Sequence, residues 1–116
     1  MQIEDSFHPS ILKNKNIIIT GGSSGIGLSI AKEASKFGAS LIIVGRDETK
    51  LKKSITSFEN SINQDHRYFK CDLSSFNESN KLFNQLRSEF RQINGIVWSA
   101  GSELIKSTRI ISDEDV

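Results

Sequence analysis

The sequence predicts an α/β protein, the first half of a doubly wound parallel sheet in the order β-α-β-α-β-α-β. Three observations carry that prediction. Short apolar runs recur along the chain, and the clearest, Ile17-Ile18-Ile19 and Leu41-Ile42-Ile43-Val44, are apolar without alternation. Such runs suit strands buried on both faces. Between them lie stretches of helical periodicity, each long enough to cross over between parallel neighbours. The first strand also runs straight into a glycine-rich turn, Gly21 to Gly27.

Residues 1–15 are polar and irregular, carry the only proline, Pro9, and read as a lead-in; residues 16–116 read as one domain. Asn16–Thr20 is the first strand. After the glycines, Ile26, Ile30, Ala34 and Phe37 recur at helical spacing, with Lys32, Glu33 and Lys36 opposite, until Gly38 stops the helix. Leu41–Val44 is the second strand, closed by Gly45. Leu51, Ile55, Phe58 and Ile62 then fall on one helical face, with Lys50, Lys52 and Lys53 outside and Asp47 placed as N-cap. His66 to Lys70 is a weaker strand. Ser75-Phe76-Asn77-Glu78 has the form of a capping box, opening a helix with the stripe Phe76, Phe83, Leu86 and Phe90. Gly95–Ser99 is the fourth strand, and its Ile96-Val97-Trp98 would form an exposed hydrophobic edge unless further strands cover it. Finally, Ser112 followed by Asp113-Glu114-Asp115 reads as the cap and acidic first turn of another helix.

Composition narrows the function. The chain has 116 residues and a formal net charge of +1, without the basic excess of a nucleic-acid binder. No window approaches the roughly 18 apolar residues of a membrane span. Glu4 and Asp5 stand where a secretion signal carries positive charge. The one cysteine, Cys71, has no internal partner, which points to a reducing compartment. A cytoplasmic location is the expectation. Cys71 with the scattered His8 and His66 makes no metal site.

The glycine turn, Thr20-Gly21-Gly22-Ser23-Ser24-Gly25-Ile26-Gly27, joins a strand to a helix. Glycines let phosphate approach the backbone there, and free N–H groups with the helix dipole attract the anion. The spacing is not G-x-G-x-x-G, and no P-loop lysine follows the glycines. It resembles the T-G-x-x-x-G-x-G loop of the short-chain dehydrogenase/reductases, which have a Rossmann-like fold. Over residues 14–116 the resemblance extends to Gly45-Arg46-Asp47 after the second strand, Cys71-Asp72-Leu73 after the third and Ala100-Gly101 after the fourth. Trp98-Ser99 departs from the family's two asparagines. The resemblance implies that Gly21, Ser23, Ser24, Gly25, Ile26 and Gly27 surround cofactor phosphates and ribose. It likewise puts Asp72 and Leu73 at the adenine, and Ser99, Ala100 and Gly101 along the cofactor's centre.

A carboxylate ending the second strand favours NAD(H), whereas an arginine accepts the 2′-phosphate of NADP(H). Here Gly45 leaves room for Arg46, whose planar guanidinium suits phosphate. Asp47 lies near the usual offset for a ribose acid but precedes Glu48-Thr49-Lys50-Leu51 as a helix cap. NADP(H) is therefore expected over NAD(H), with Arg46 as a plain solvated charge the alternative.

The family's catalysts are a serine and a Tyr-x-x-x-Lys pair supported by an asparagine. This chain has one tyrosine, Tyr68, with Asp72 four residues on, so no catalytic residue is assigned within it. In the family those residues follow the fourth strand. The resemblance implies an oxidoreductase moving a hydride between NADP(H) and a small carbonyl or alcohol, homo-oligomeric at full length and inactive as these 116 residues alone. A non-catalytic nucleotide-binding or sensor module is the alternative. A flavodoxin-like or receiver-like domain shares the alternation but leaves the glycine turn, Arg46 and Asp72 unexplained together.

Overall fold

A computed structural model describes residues 11–21, 23, 25–61, 63–99 and, for the backbone, 109–112. The elements are β1 (Asn16–Thr20), α1 (Gly25–Lys36), β2 (Ser40–Gly45), α2 (Glu48–Ile55), β3 (Arg67–Lys70), α3 (Phe76–Glu89), β4 (Gly95–Trp98) and β5 (Arg109–Ser112). The sheet order is β3-β2-β1-β4-β5. Its first four strands are mutually parallel, as the alternation of apolar runs and helices predicts.

The unbroken apolar runs are explained by helices on both faces of the sheet. Ile19, Leu41, Ile43 and Val97 pack on one side with Ala31 and Ala34 of α1 and Leu51 of α2. Ile18, Ile42, Val44 and Ile96 pack on the other with Leu82 and Leu86 of α3. Successive strand residues point to opposite faces, so consecutive isoleucines fill two separate cores.

Several expectations are corrected. In α1 the buried residues are Gly27, Ala31, Ala34 and Ser35, while Ile26 is 40% exposed and Ile30 half-buried. The buried face thus lies one position from the predicted one, because small residues let the helix approach the sheet. In α3, Leu82 and Leu86 are buried and Phe76 is 80% exposed, since the first turn of the helix projects beyond its packed face. Helix α2 ends at Ile55; Phe58 is buried from the turn that follows, and Ile62 lies outside the described residues.

The fifth strand is the largest departure. Arg109–Ser112 pairs antiparallel with β4, Ser112 opposite Gly95 and Arg109 opposite Trp98. Ser112 therefore closes a strand, and β4 is not an open edge. Residues 113–116, where a helix was expected to continue, lie outside the described residues.

The α2–β3 connection is stitched back to α1 and β2 by side chains. Gln64 Nε2 donates to the carbonyls of Ser35 and Ala39 at 2.8 Å, and His66 Nδ1 accepts from the Leu41 N–H at 3.0 Å. These bonds make His66 structural.

Candidate functional site

The parallel strands end together, at Thr20, Gly45, Lys70 and Trp98. From β1 the chain winds outward through β2 and β3, then returns to place β4 on the opposite side of β1. The carboxyl ends of β1 and β4 therefore flank a topological switch point, where open α/β sheets form their ligand crevice.

The glycine turn occupies this point. Gly21 has φ 73° and donates its N–H to the Val44 carbonyl at 2.9 Å, tying the start of the turn to β2. Gly25 begins α1 with φ 58°, and a Cβ built there meets nothing within 4 Å. That open side, at the positive end of a helix dipole, is accessible to an anion. Gly27 is buried in α1. A Cβ on Gly45 would lie 3.7 Å from Ser23 Oγ and 3.4 Å from Leu51 Cδ2, so the turn leans on the end of β2. Ser54 Oγ, which donates to the Lys50 carbonyl at 2.8 Å, lies 3.4 Å from the Ser23 carbonyl. Gly22 and Ser24 lie outside the described residues.

Arg46 follows β2 and is exposed, and among the described residues it forms no ion pair. Asp47 is the N-cap of α2, as expected, accepting from the Lys50 N–H at 3.2 Å. After β3, the Cys71 N–H extends the pairing by donating to the Gly45 carbonyl at 2.8 Å. Asp72 is thereby brought beside the end of β2. Its Oδ1 accepts from Ser74 Oγ at 2.7 Å and from the Ser74 N–H at 3.0 Å. Those bonds, with the charge of Arg46 in reach, hold its carboxyl below the usual aspartate value. Leu73 packs half-buried against the α3 side of the core. Burial pushes the Cys71 thiol up, helped by the nearby Glu78 and Asp72 charges. The Ser75 cap forms as predicted, accepting from the Glu78 N–H at 3.3 Å. Glu78 reaches back to the Asp72 N–H, also at 3.3 Å, rather than to Ser75.

On the other side of the crevice Ser99 is buried, and its N–H donates to Thr20 Oγ1 at 3.0 Å. The Thr20 hydroxyl in turn donates to the Val97 carbonyl at 3.4 Å. Thr20 thus couples the glycine turn to the end of β4, a role that sequence reasoning missed. The available signal was a hydroxyl closing an otherwise aliphatic strand.

The structure thus brings Gly21, Ser23, Gly25, Ile26, Gly27, Arg46, Asp72, Leu73 and Ser99 to one edge of the sheet. Ala100 and Gly101 lie outside the described residues, as does His8. Tyr68 lies within β3, with its hydroxyl donating to Glu48 at 3.3 Å. Among the described residues no group of three or more His, Cys, Asp or Glu could hold a metal, and no helix is long and apolar enough to cross a membrane.

The family model of the short chain dehydrogenases matches residues 15–116. The chain belongs to this family. Short-chain dehydrogenases are oxidoreductases that use NAD(P) and act on small molecules. The chain is 34% identical over 109 residues to a dehydrogenase/reductase SDR family protein 7-like of Dictyostelium discoideum, covering 90% of this chain and 34% of that protein. It is 31% identical over 103 residues to a fatty acyl-CoA reductase of Acinetobacter baylyi, covering 89% and 34%. Among solved structures, the citronellol catabolism dehydrogenase of Pseudomonas aeruginosa superimposes with a TM-score of 0.72 at 30% identity, covering 78% of this chain and 38% of that one. A short chain dehydrogenase of Escherichia coli CFT073 complexed with NADPH gives 0.73 at 26% identity, covering 83% and 41%. The chain spans 34% of the length of these two curated relatives.

Proposed function

We propose that this chain supplies the NADP(H)-binding half of an oxidoreductase that moves a hydride between the cofactor and a small-molecule carbonyl or alcohol. The observation that carries the reading is Arg46: it follows β2 directly with no ion pair among the described residues, while the acid beside it, Asp47, caps α2. A guanidinium so placed suits a 2′-phosphate, and a carboxylate committed to a cap is poorly placed for a ribose 2′-hydroxyl.

The crevice fits such a group. Gly21, Ser23, Ser24, Gly25, Ile26 and Gly27 would hold the phosphates and adjoining ribose, drawing on the open side of Gly25 and the start of α1. Asp72 and Leu73 would border the adenine, and Ser99, Ala100 and Gly101 the central part of the cofactor. The nicotinamide supplies or accepts the hydride; this chain's residues bind and orient it. The sequence contains no Tyr-x-x-x-Lys to move a proton on the substrate oxygen, so these 116 residues alone bind cofactor without turnover. In the same reading residues 16–116 form the cofactor domain behind a lead-in at 1–15, and the full-length protein is a cytoplasmic homo-oligomer.

The test compares NADPH with NADH affinity in wild type and Arg46→Ala. Wild type is expected to prefer NADPH and the variant to lose about tenfold of that preference, the worth of one charge-assisted contact. An unchanged preference refutes the assignment.

A further inference from the structure

Three carboxylates lie in sequence or in space near Arg46, and each has another partner. Asp47 accepts from the Lys50 backbone, and Asp72 from the Ser74 backbone and hydroxyl. Glu48, the first residue of α2, is held differently: its Oε2 accepts from the Tyr68 hydroxyl at 3.3 Å. Tyr68 reaches it because β3 alternates, sending Phe69 to the α3 side and Tyr68 to the side of α1 and α2. Of the three acids, Glu48 is the one held, among the described residues, by a side chain alone, with no backbone N–H.

We infer that Tyr68 is a positioning residue for 2′-phosphate recognition: its hydroxyl holds the Glu48 carboxylate toward β3, away from the Arg46 guanidinium. The inference rests on the reading that Arg46 receives that phosphate. A released Glu48 opposes the phosphate twice, by pairing with Arg46 and by repelling the bound anion. Both groups are exposed, so solvent and salt screen the effect, which is a few-fold in affinity. A nucleotide without a 2′-phosphate is indifferent to it.

The experiment titrates the full chain with 2′,5′-ADP and with 5′-AMP at low salt, for wild type, Tyr68→Phe, Glu48→Gln and the double variant. Wild type should favour 2′,5′-ADP. Tyr68→Phe should lower that ratio by about threefold with 5′-AMP affinity unchanged, and adding Glu48→Gln should restore it. An unchanged ratio in Tyr68→Phe overturns the inference, as does a loss that Glu48→Gln fails to reverse. An equal loss for both nucleotides marks a packing role and overturns it too. A wild type without preference for 2′,5′-ADP sinks the Arg46 reading itself, which separates that failure from the others.

Discussion

Replacing Thr20 by valine keeps the β-branched shape of a fully buried side chain and removes only its hydroxyl. Two bonds are lost. The Ser99 N–H, 3.0 Å away and buried, loses its acceptor, which costs about 1–3 kcal/mol when no water can replace it. The bond to the Val97 carbonyl, at 3.4 Å, is near the limit of useful length and adds little. Thr20→Ser makes the opposite change, keeping the oxygen and losing one methyl, worth about 1 kcal/mol. Valine should therefore cost about 2 kcal/mol and serine about half that. Urea unfolding followed by the single tryptophan, Trp98, reads the difference beside the perturbed bond, with the m-value unchanged if only the native state is affected. Hydrogen exchange gives a local check, since the Ser99 amide should lose protection in Thr20→Val and keep it in Thr20→Ser. A valine variant as stable as wild type, or less damaging than serine, would refute the role assigned to this hydroxyl.

Other expectations follow from the same geometry. Leu86→Ala should destabilise by about 2–5 kcal/mol, because the side chain is fully buried under β1 and β4, whereas Phe76→Ala should stay within about 0.5 kcal/mol; equal costs in urea unfolding would contradict the packing of α3. Gly38→Ala should be worse than Gly25→Ala, since both glycines have positive φ but only at Gly38 would the new Cβ meet backbone, 3.1 Å from Lys13 Cα and N. A calorimetric comparison of Tm orders the two. Asp72 has a depressed folded-state pKa, so its contribution is present above the unfolded value of about 3.9 and is lost as pH falls through the lower folded one. The stability gap between wild type and Asp72→Asn should therefore shrink below about pH 4, and a gap that widens there would refute the sign.

What the sequence discloses follows from how much each residue's fate depends on distant ones. Ile17-Ile18-Ile19 and Leu41 to Val44 announce themselves because a strand covered on both faces has no polar side to interrupt it. Asp47 and Ser75 are legible as caps because capping is local, satisfied within three residues. The buried face of α1 is not, since Ile26 looks more like core than Gly27 until the sheet's closeness to the helix is known. Phe76 misleads for the same reason, as its helical spacing is right while its position lies beyond the packed face. The pairing of β5 depends on a partner strand some fifteen residues away, and Ser112 by itself reads equally well as a cap. Around the crevice, the placement of the glycine turn between β1 and α1 and of Arg46 just after β2 was legible from spacing. The coupling through Thr20 was not, because both of its bonds reach the backbone of β4, nearly eighty residues on.

That backbone dependence bears on Trp98-Ser99, which stands where the family has two asparagines. The tie between β1 and β4 does not need those amides. At the carboxyl end it consists of the pairing of Thr20 with Trp98 and the Ser99 N–H on the threonine hydroxyl. At the amino end Asn94 closes it, accepting from the Asn16 N–H through Oδ1 and donating its own N–H to the Asn16 carbonyl, both at 2.8 Å. Asn16 adds a third bond, from Nδ2 to the Gln92 carbonyl at 2.9 Å. The central strand pair is thus clamped at both ends, and on the β4 side of the crevice the groups engaged are main-chain ones, carried by any residue except proline. Side-chain identity at 98 and 99 is therefore free to change without loosening the strands that frame the crevice, and here the two positions carry a tryptophan and a serine in place of two asparagines.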